Sequence, residues 1–193
     1  MRRIGLLGGS FDPPHKGHVY ISIEAKKILQ LVEIWWLVTP QNPLKISKPA
    51  TYQERVINCK KISKGTPIII KEIEKKIDSK YTYETLNYLQ NHYNNIKFFW
   101  LMGADNLINF HKWQKWRQIF QEVSIVVFKR HGYNIKALRS IANKTFSNQQ
   151  IISNSINKNQ FNKLPSWAWI NNKEIKISST EIRQQRLLLR GKN

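Results

Sequence analysis

Gly8-Gly9-Ser10-Phe11-Asp12-Pro13-Pro14-His15-Lys16-Gly17-His18 follows a short apolar run, Ile4 to Leu7, and precedes an amphipathic stretch, Val19 to Leu31. That order reads as strand, glycine-rich turn and helix. Such a junction binds phosphate, because free backbone N–H groups and the helix dipole point at the same place. The glycines let the backbone approach a ligand with no Cβ in the way. His15 and His18 share one face of the first helical turn. Each can donate a ring N–H to a phosphate oxygen, and a protonated ring would add charge. The plainer alternative is a surface turn with two incidental histidines. Zinc would need a third or fourth ligand; no Glu adjoins this pair and the chain has one cysteine, so no metal ligand is assigned.

Outward from this turn, apolar runs alternate with helical patterns, the signature of a doubly wound, Rossmann-like parallel α/β sheet. The reading is one domain, residues 1–193, with a small C-terminal helical part. Strands are expected at Arg2–Leu7, Val32–Val38, Pro67–Ile70, Lys97–Met102, Ser124–Phe128 and Trp167–Ile170, and helices at Lys16–Leu31 and Thr51–Lys64. Thr51 and Glu54 have the spacing of a capping box. A further helix opens at Tyr81-Thr82-Tyr83-Glu84-Thr85-Leu86 with Thr82 as its N-cap, and one short helix is expected at Ile135–Ala142. Lys71–Lys80 reads as a solvated connection.

The carboxyl ends of parallel strands are where ligands bind in such sheets. Past the second strand, Asn42 could bond a phosphate or ribose and Lys45 could neutralise a phosphate. Past the fourth, Gly103 permits close approach and Asp105 can accept from a ribose hydroxyl, or else cap the next helix. Trp113 and Trp116 have the spacing to share a helix face, either as core or with Trp113 stacking on a flat cationic ring. Past the fifth strand come Lys129 and Arg130. Ile177-Ser178-Ser179-Thr180-Glu181-Ile182-Arg183 opens a last helix with three hydroxyls and an Arg one turn on, a phosphate grip with an ordinary N-cap as its alternative.

The 193 residues carry 32 Lys and Arg against 12 Asp and Glu, a formal charge of +20. That field draws in anions, and nucleic acid is one class of them. The excess is spread Lys mixed with Asn and Ile, with no compact Arg block, so a solvated surface is favoured over a nucleic-acid face. No run spans a bilayer and no secretory pattern opens the chain. With a lone Cys59, the expectation is a cytoplasmic protein without disulfides. Monomer and homo-oligomer both stay open.

These motifs together resemble the nucleotidylyltransferase superfamily, and within it the bacterial nicotinate-nucleotide adenylyltransferases. The Gly-Gly-Ser-Phe-Asp-Pro-Pro-His-x-Gly-His and Ile-Ser-Ser-Thr-x-Ile-Arg motifs carry the superfamily. Tyr81–Leu86, Met102–Leu107 and Phe110-x-x-Trp113 carry the narrower likeness. The resemblance implies transfer of AMP from ATP to nicotinate mononucleotide, with Mg²⁺ held mainly by the ATP phosphates. It implies catalytic roles for His15, His18 and Arg183. It places ATP against Gly8, Gly9, Ser10, Phe11, Gly103, Asp105, Ile177, Ser178, Ser179 and Thr180. The mononucleotide would meet Asn42, Lys45, Thr82, Trp113, Gln114 and Arg130. The alternatives are an adenylyltransferase for nicotinamide mononucleotide or phosphopantetheine, or a basic nucleic-acid-binding module without catalysis. His131 departs from the family pattern, where Pro is common after the basic pair.

Overall fold

The computed structural model describes residues 1–40, 50–152 and 156–190. Its strands are β1 (Arg2–Gly9), β2 (Glu33–Val38), β3 (Ile68–Lys71), β4 (Ile96–Gly103), β5 (Ser124–Phe128), β6 (Gln150–Ile151) and β7 (Trp167–Ile170). They form one sheet in the order β3-β2-β1-β4-β5-β7-β6, every neighbouring pair parallel. The central strands are near-continuous apolar runs because both sheet faces are covered. Alternate residues go to opposite cores. Leu7, Ile34, Trp36, Phe99 and Leu101 pack under α1 (Lys16–Leu29) and α2 (Tyr52–Ile62), against Ala25, Leu29, Val56 and Cys59. Ile4, Leu6, Trp35, Leu37 and Trp100 face the other way, against the short helix α3 (Ile73–Lys76), α4 (Thr82–His92), α5 (Ala104–Asn109) and α6 (Trp116–Glu122). The chain winds outward from β1 through β2 to β3, then returns to β4 on its other side. The carboxyl ends of β1 and β4 therefore flank a topological switch point, where such sheets open a cleft.

The doubly wound reading holds, and the Thr51–Glu54 capping box forms: Glu54 N–H donates to Thr51 Oγ1 at 3.3 Å, and Thr51 N–H to Glu54 Oε2 at 3.0 Å. Four local expectations need correction. The stretch read as a solvated connection contains α3, whose Ile73 and Glu74 are buried, because Ile73 completes the core beneath Trp35 and Leu86. The N-cap of α4 is Tyr81, with Thr82 the first helical residue. Trp113 and Trp116 do not share a helix face: Trp113 is the extended residue that closes a 3₁₀ turn (Phe110–Lys112), and a left-handed Lys115 (φ +51°) stands between it and α6, which starts at Trp116. Ile135–Ala142 is two short helices, α7 (Asn134–Leu138) and α8 (Ile141–Thr145), because Ser140 is extended and accepts from Asn143 N–H at 3.2 Å to cap the second. The edge strand β6 exists only through its pairing with β7, which its own sequence does not announce. The last helix, α9 (Ser179–Arg190), carries the hydroxyl motif. Asn42 and Lys45 lie outside the described residues. Among the described residues no helix is long and apolar enough to cross a membrane.

Candidate active site

The turn between β1 and α1 is built around three aromatic rings. Phe11 holds a left-handed backbone (φ +48°), a cost for a bulky residue. It is offset by stacking on Trp36, with centroids 4.7 Å apart and planes at 14°, and by burial to 2 % exposure. Gly8 passes over Trp100 so closely that a Cβ would lie 2.6 Å from the indole. At Gly17 a Cβ would lie 2.9 Å from His15 Nδ1 and 3.2 Å from Ile177. Only glycine there lets the first turn of α1, the His15 ring and the start of the hydroxyl motif meet.

His15 and His18 have ring centroids 3.8 Å apart. His15 N–H donates to His18 Nδ1 at 3.2 Å, so the neutral His18 ring carries its proton on Nε2 as a donor. His15 is 6 % exposed, and among the described residues neither ring nitrogen meets a partner at hydrogen-bond geometry. Burial and then the charge of Arg130 push its pKa down to about 4, against a weaker upward pull from Glu181. The expected gain from a protonated ring therefore does not apply to His15, which is a neutral donor at physiological pH.

The two phosphate motifs are tied together by the chain itself. Ser179 Oγ donates to Pro13 O at 2.9 Å, and Arg183 donates to Asp12 O and, at 3.2 Å, to Thr180 Oγ1. Arg183 Nη1 also lies 3.6 Å from the Asp12 carboxylate. The start of α9 is thus seated on the turn that starts α1.

Across the cleft, Asp105 neither caps α5 nor stands alone. Gly103 occupies the cap position, and Asp105 accepts from Arg130 Nη1 at 2.7 Å. The basic loop after β5 is pinned from behind. Arg130 N–H donates to Asn134 Oδ1 at 2.8 Å, and Glu174 accepts from Asn134 Nδ2 at 2.6 Å and pairs with His131 at 3.2 Å. His131, the departure from the family pattern, is thus part of this brace.

The remaining wall comes from α4 and the segment after α5. No side chain of the Tyr81 cap bonds into the first turn of α4, which leaves its leading N–H groups available. Ser79 shapes the approach: its Oγ accepts from Tyr81 N–H at 3.1 Å and donates to Glu84. Trp113 meets Trp100 edge to face, 6.1 Å between centroids at 88°. The helix break that parts it from Trp116 aims it at the cleft, while Trp116 packs on Phe146.

All of these groups line one cavity of about 580 Å³: Gly8–Phe11, His15, His18, Thr82, Gly103, Asp105, Trp113, Gln114, Arg130, Ile177–Thr180 and Arg183. Every candidate within the described residues is in it. Residues 6–185 match the cytidylyltransferase-like family. A probable nicotinate-nucleotide adenylyltransferase of a Ruegeria species is 42% identical over 94% of this chain and 96% of its own. A probable nicotinate-nucleotide adenylyltransferase of Pelagibacter ubique is 42% identical over 94% of this chain and 92% of its own. The chain belongs to the nicotinate-nucleotide adenylyltransferase family. The solved Plasmodium falciparum nicotinic acid mononucleotide adenylyltransferase complexed with NaAD has the same fold, with TM-score 0.71 at 20% identity over 95% of this chain and 83% of that one.

Several residues of this adenylyltransferase cavity escape a reading of sequence. Lys80 and Lys112 line it, but nothing separates them from the many surface lysines. Glu74 lines it from α3, 3 % exposed. Arg55 stands just behind the wall at 1 % exposure. It donates to Ala50 O at 3.0 Å, Ser10 O at 2.7 Å, Thr39 O at 2.7 Å and Pro40 O at 2.8 Å. The one signal for it is an Arg, with its fixed fork of donors, on a helix otherwise supplied with Lys. Among the described residues no group of three or more His, Cys, Asp or Glu is arranged to hold a metal ion.

Proposed function

We propose that this cavity holds ATP and nicotinate mononucleotide side by side and joins them directly. AMP passes from ATP to the mononucleotide, giving nicotinate adenine dinucleotide and pyrophosphate. The observation that carries this reading is the meeting, in one cavity, of two phosphate-binding helix starts with an uncapped helix start and a Trp on the opposite wall. The mononucleotide's phosphate has a second pKa near ~6, so it is largely dianionic at neutral pH. One of its oxygens bonds to the α-phosphorus of ATP. The bond from that phosphorus to the oxygen bridging the β-phosphate breaks, and the electron pair leaves with pyrophosphate. No proton has to be taken from the nucleophile, so the protein's work is alignment and the absorption of charge.

His15, as a neutral donor, and His18, through Nε2–H, face the ATP phosphates. Arg183 and the start of α9 grip the triphosphate from the other side, while Gly8, Gly9, Ser10, Phe11, Gly103, Asp105 and Ile177 line the nucleotide. Magnesium carried on ATP as part of the substrate would supply further positive charge to its phosphates, and no side chain is assigned to hold it. Trp113 stacks on the pyridine ring, and backbone N–H groups at Thr82 and Gln114 receive its carboxylate. Arg130, with Asn42 and Lys45, takes the mononucleotide's phosphate. The partners are these two small molecules and not a nucleic-acid chain. A cytoplasmic setting suits Cys59, buried with its thiol pushed up to about 12 by desolvation and so inert.

The test is pyrophosphate release from ATP and Mg²⁺ with nicotinate mononucleotide or nicotinamide mononucleotide. The acid should be preferred by at least about tenfold in kcat/KM, since a carboxylate carries a full charge to the helix start and a carboxamide does not. Equal rates would remove Thr82 and Trp113 as the selective wall. No release with either would overturn the reading.

A further inference from the structure

Glu74 has no place in the mechanism above, yet it is the most deeply buried carboxyl of the cavity. It sits on α3, directly after β3, with Ile73 anchored in the same core that packs α4 and Trp113. Glu74, Thr82 and Trp113 therefore belong to one face of the sheet, while the helix that starts at the histidines covers the other. Thr39, just past β2, lines the same cavity. Oε2 is buried and, among the described residues, has no partner. An orphaned oxygen of this kind costs free energy unless something meets it.

We propose that Glu74 binds the ribose of the pyridine mononucleotide, its Oε2 meeting a sugar hydroxyl. The proposal rests on the reading of the cavity given above and adds a residue to it. The chemistry selects the hydroxyl. The phosphate and the ring carboxylate are both anions that an ionised carboxyl repels. A hydroxyl donates to a carboxylate and accepts from a carboxylic acid, so it satisfies Oε2 in either state. Burial holds the Glu74 pKa up at about 7, so both states are populated at neutral pH and a neutral, two-way partner suits it. The position agrees: Glu74 shares the cavity and one face of the sheet with Thr82 and Trp113, the wall that takes the ring to which this sugar is joined.

The experiment uses the full chain with ATP, Mg²⁺ and nicotinate mononucleotide, or its 2′-deoxy and 3′-deoxy forms. Wild type should lose about tenfold or more in kcat/KM with one of the deoxy forms, the usual consequence of leaving a buried polar group unpaired. Glu74→Ala should raise KM for the mononucleotide by a similar factor, leave KM for ATP within about twofold, and no longer distinguish the sensitive deoxy form from the ribose form. Glu74→Gln, which still offers a donor and an acceptor, should stay within about threefold of wild type. Equal losses towards ATP and mononucleotide, or additive losses from variant and deoxy substrate, would overturn the proposal and leave Glu74 a structural residue. Should E74A not fold, wild type alone decides: full activity with both deoxy forms refutes the assignment. A wild type inactive with the ribose mononucleotide itself would instead overturn the reading of the whole cavity.

Discussion

Burial moves His15 and Glu74 in opposite directions. His15 is brought from its ordinary 6.5 to about 4, and Glu74 from 4.5 to about 7. In the unfolded chain His15 takes a proton below 6.5, while the folded protein refuses it until about 4, so acidification across that window favours unfolding. For Glu74 the folded protein keeps a proton that the unfolded chain releases above 4.5, so stability present at low pH is lost as pH rises towards 7. Each effect is worth at most roughly 3 to 4 kcal/mol, about 2.5 pH units at about 1.36 kcal/mol per unit. Over their common range the two oppose each other, and removing either should expose the other. Relative to wild type, His15→Asn should lose stability as pH rises from 4.5 towards 7, and Glu74→Gln as it falls from 6.5 towards 4. Urea unfolding at several pH values checks both slopes, and variants that track wild type throughout would show that burial does not set these protonation states. Only one of the two is legible in the sequence. His15 stands in a motif whose spacing announces it, whereas Glu74 is one acid among Lys and Glu, marked out only by the core contact of its neighbour Ile73.

At the scale of elements, the site depends on loops being held in register. Arg55 does this from α2. Its guanidinium joins the carbonyls of Ser10 on the β1 turn, Thr39 and Pro40 past β2, and Ala50 at the head of α2. Four carbonyls around one cation are fully compensated only by a planar fork with several donors. Lys offers a point charge that cannot reach all four. Arg55→Lys should therefore lower stability by about 3 kcal/mol, the usual cost of disrupting a buried charged network. It should also lower kcat/KM for both substrates, because Ser10 and Thr39 line the cavity. Urea unfolding and steady-state kinetics test this, and a variant of unchanged stability would mean that the clamp carries no load. The strands, by contrast, are legible: runs such as Phe98–Met102 are buried on both faces, and nothing but a central strand suits them. The split of α7 from α8, and β6, are not legible. In those polar stretches the split rests on one local N-cap, Ser140 accepting from Asn143, with no strong apolar period to mark it, and β6 rests on pairing with β7, a tertiary event.

For the whole molecule the open question is what the charge of +20 does. Several of the few acids are committed to local pairs: Glu33 with Arg2, Asp105 with Arg130, and Glu174 with Lys129 and His131. The surplus of Lys is left facing water over much of the surface. Both substrates are polyanions, and a field of this sign raises their encounter rate with the cavity. Charges beyond about 10 Å are screened at about 0.1 M salt, so a steering effect has to fade with ionic strength. kcat/KM for nicotinate mononucleotide should fall roughly tenfold between about 10 mM and about 150 mM KCl, with kcat little changed. Screening of the cavity's own cations would look similar, so remote charges must be tested separately. Lys60, Lys61 and Lys64 are exposed at the far end of α2, away from the strand ends that form the site. Replacing all three with Gln should flatten the salt dependence while leaving kcat and stability near wild type. An unchanged slope in that variant would confine the useful electrostatics to the cavity, and the remaining charge would then serve solubility alone.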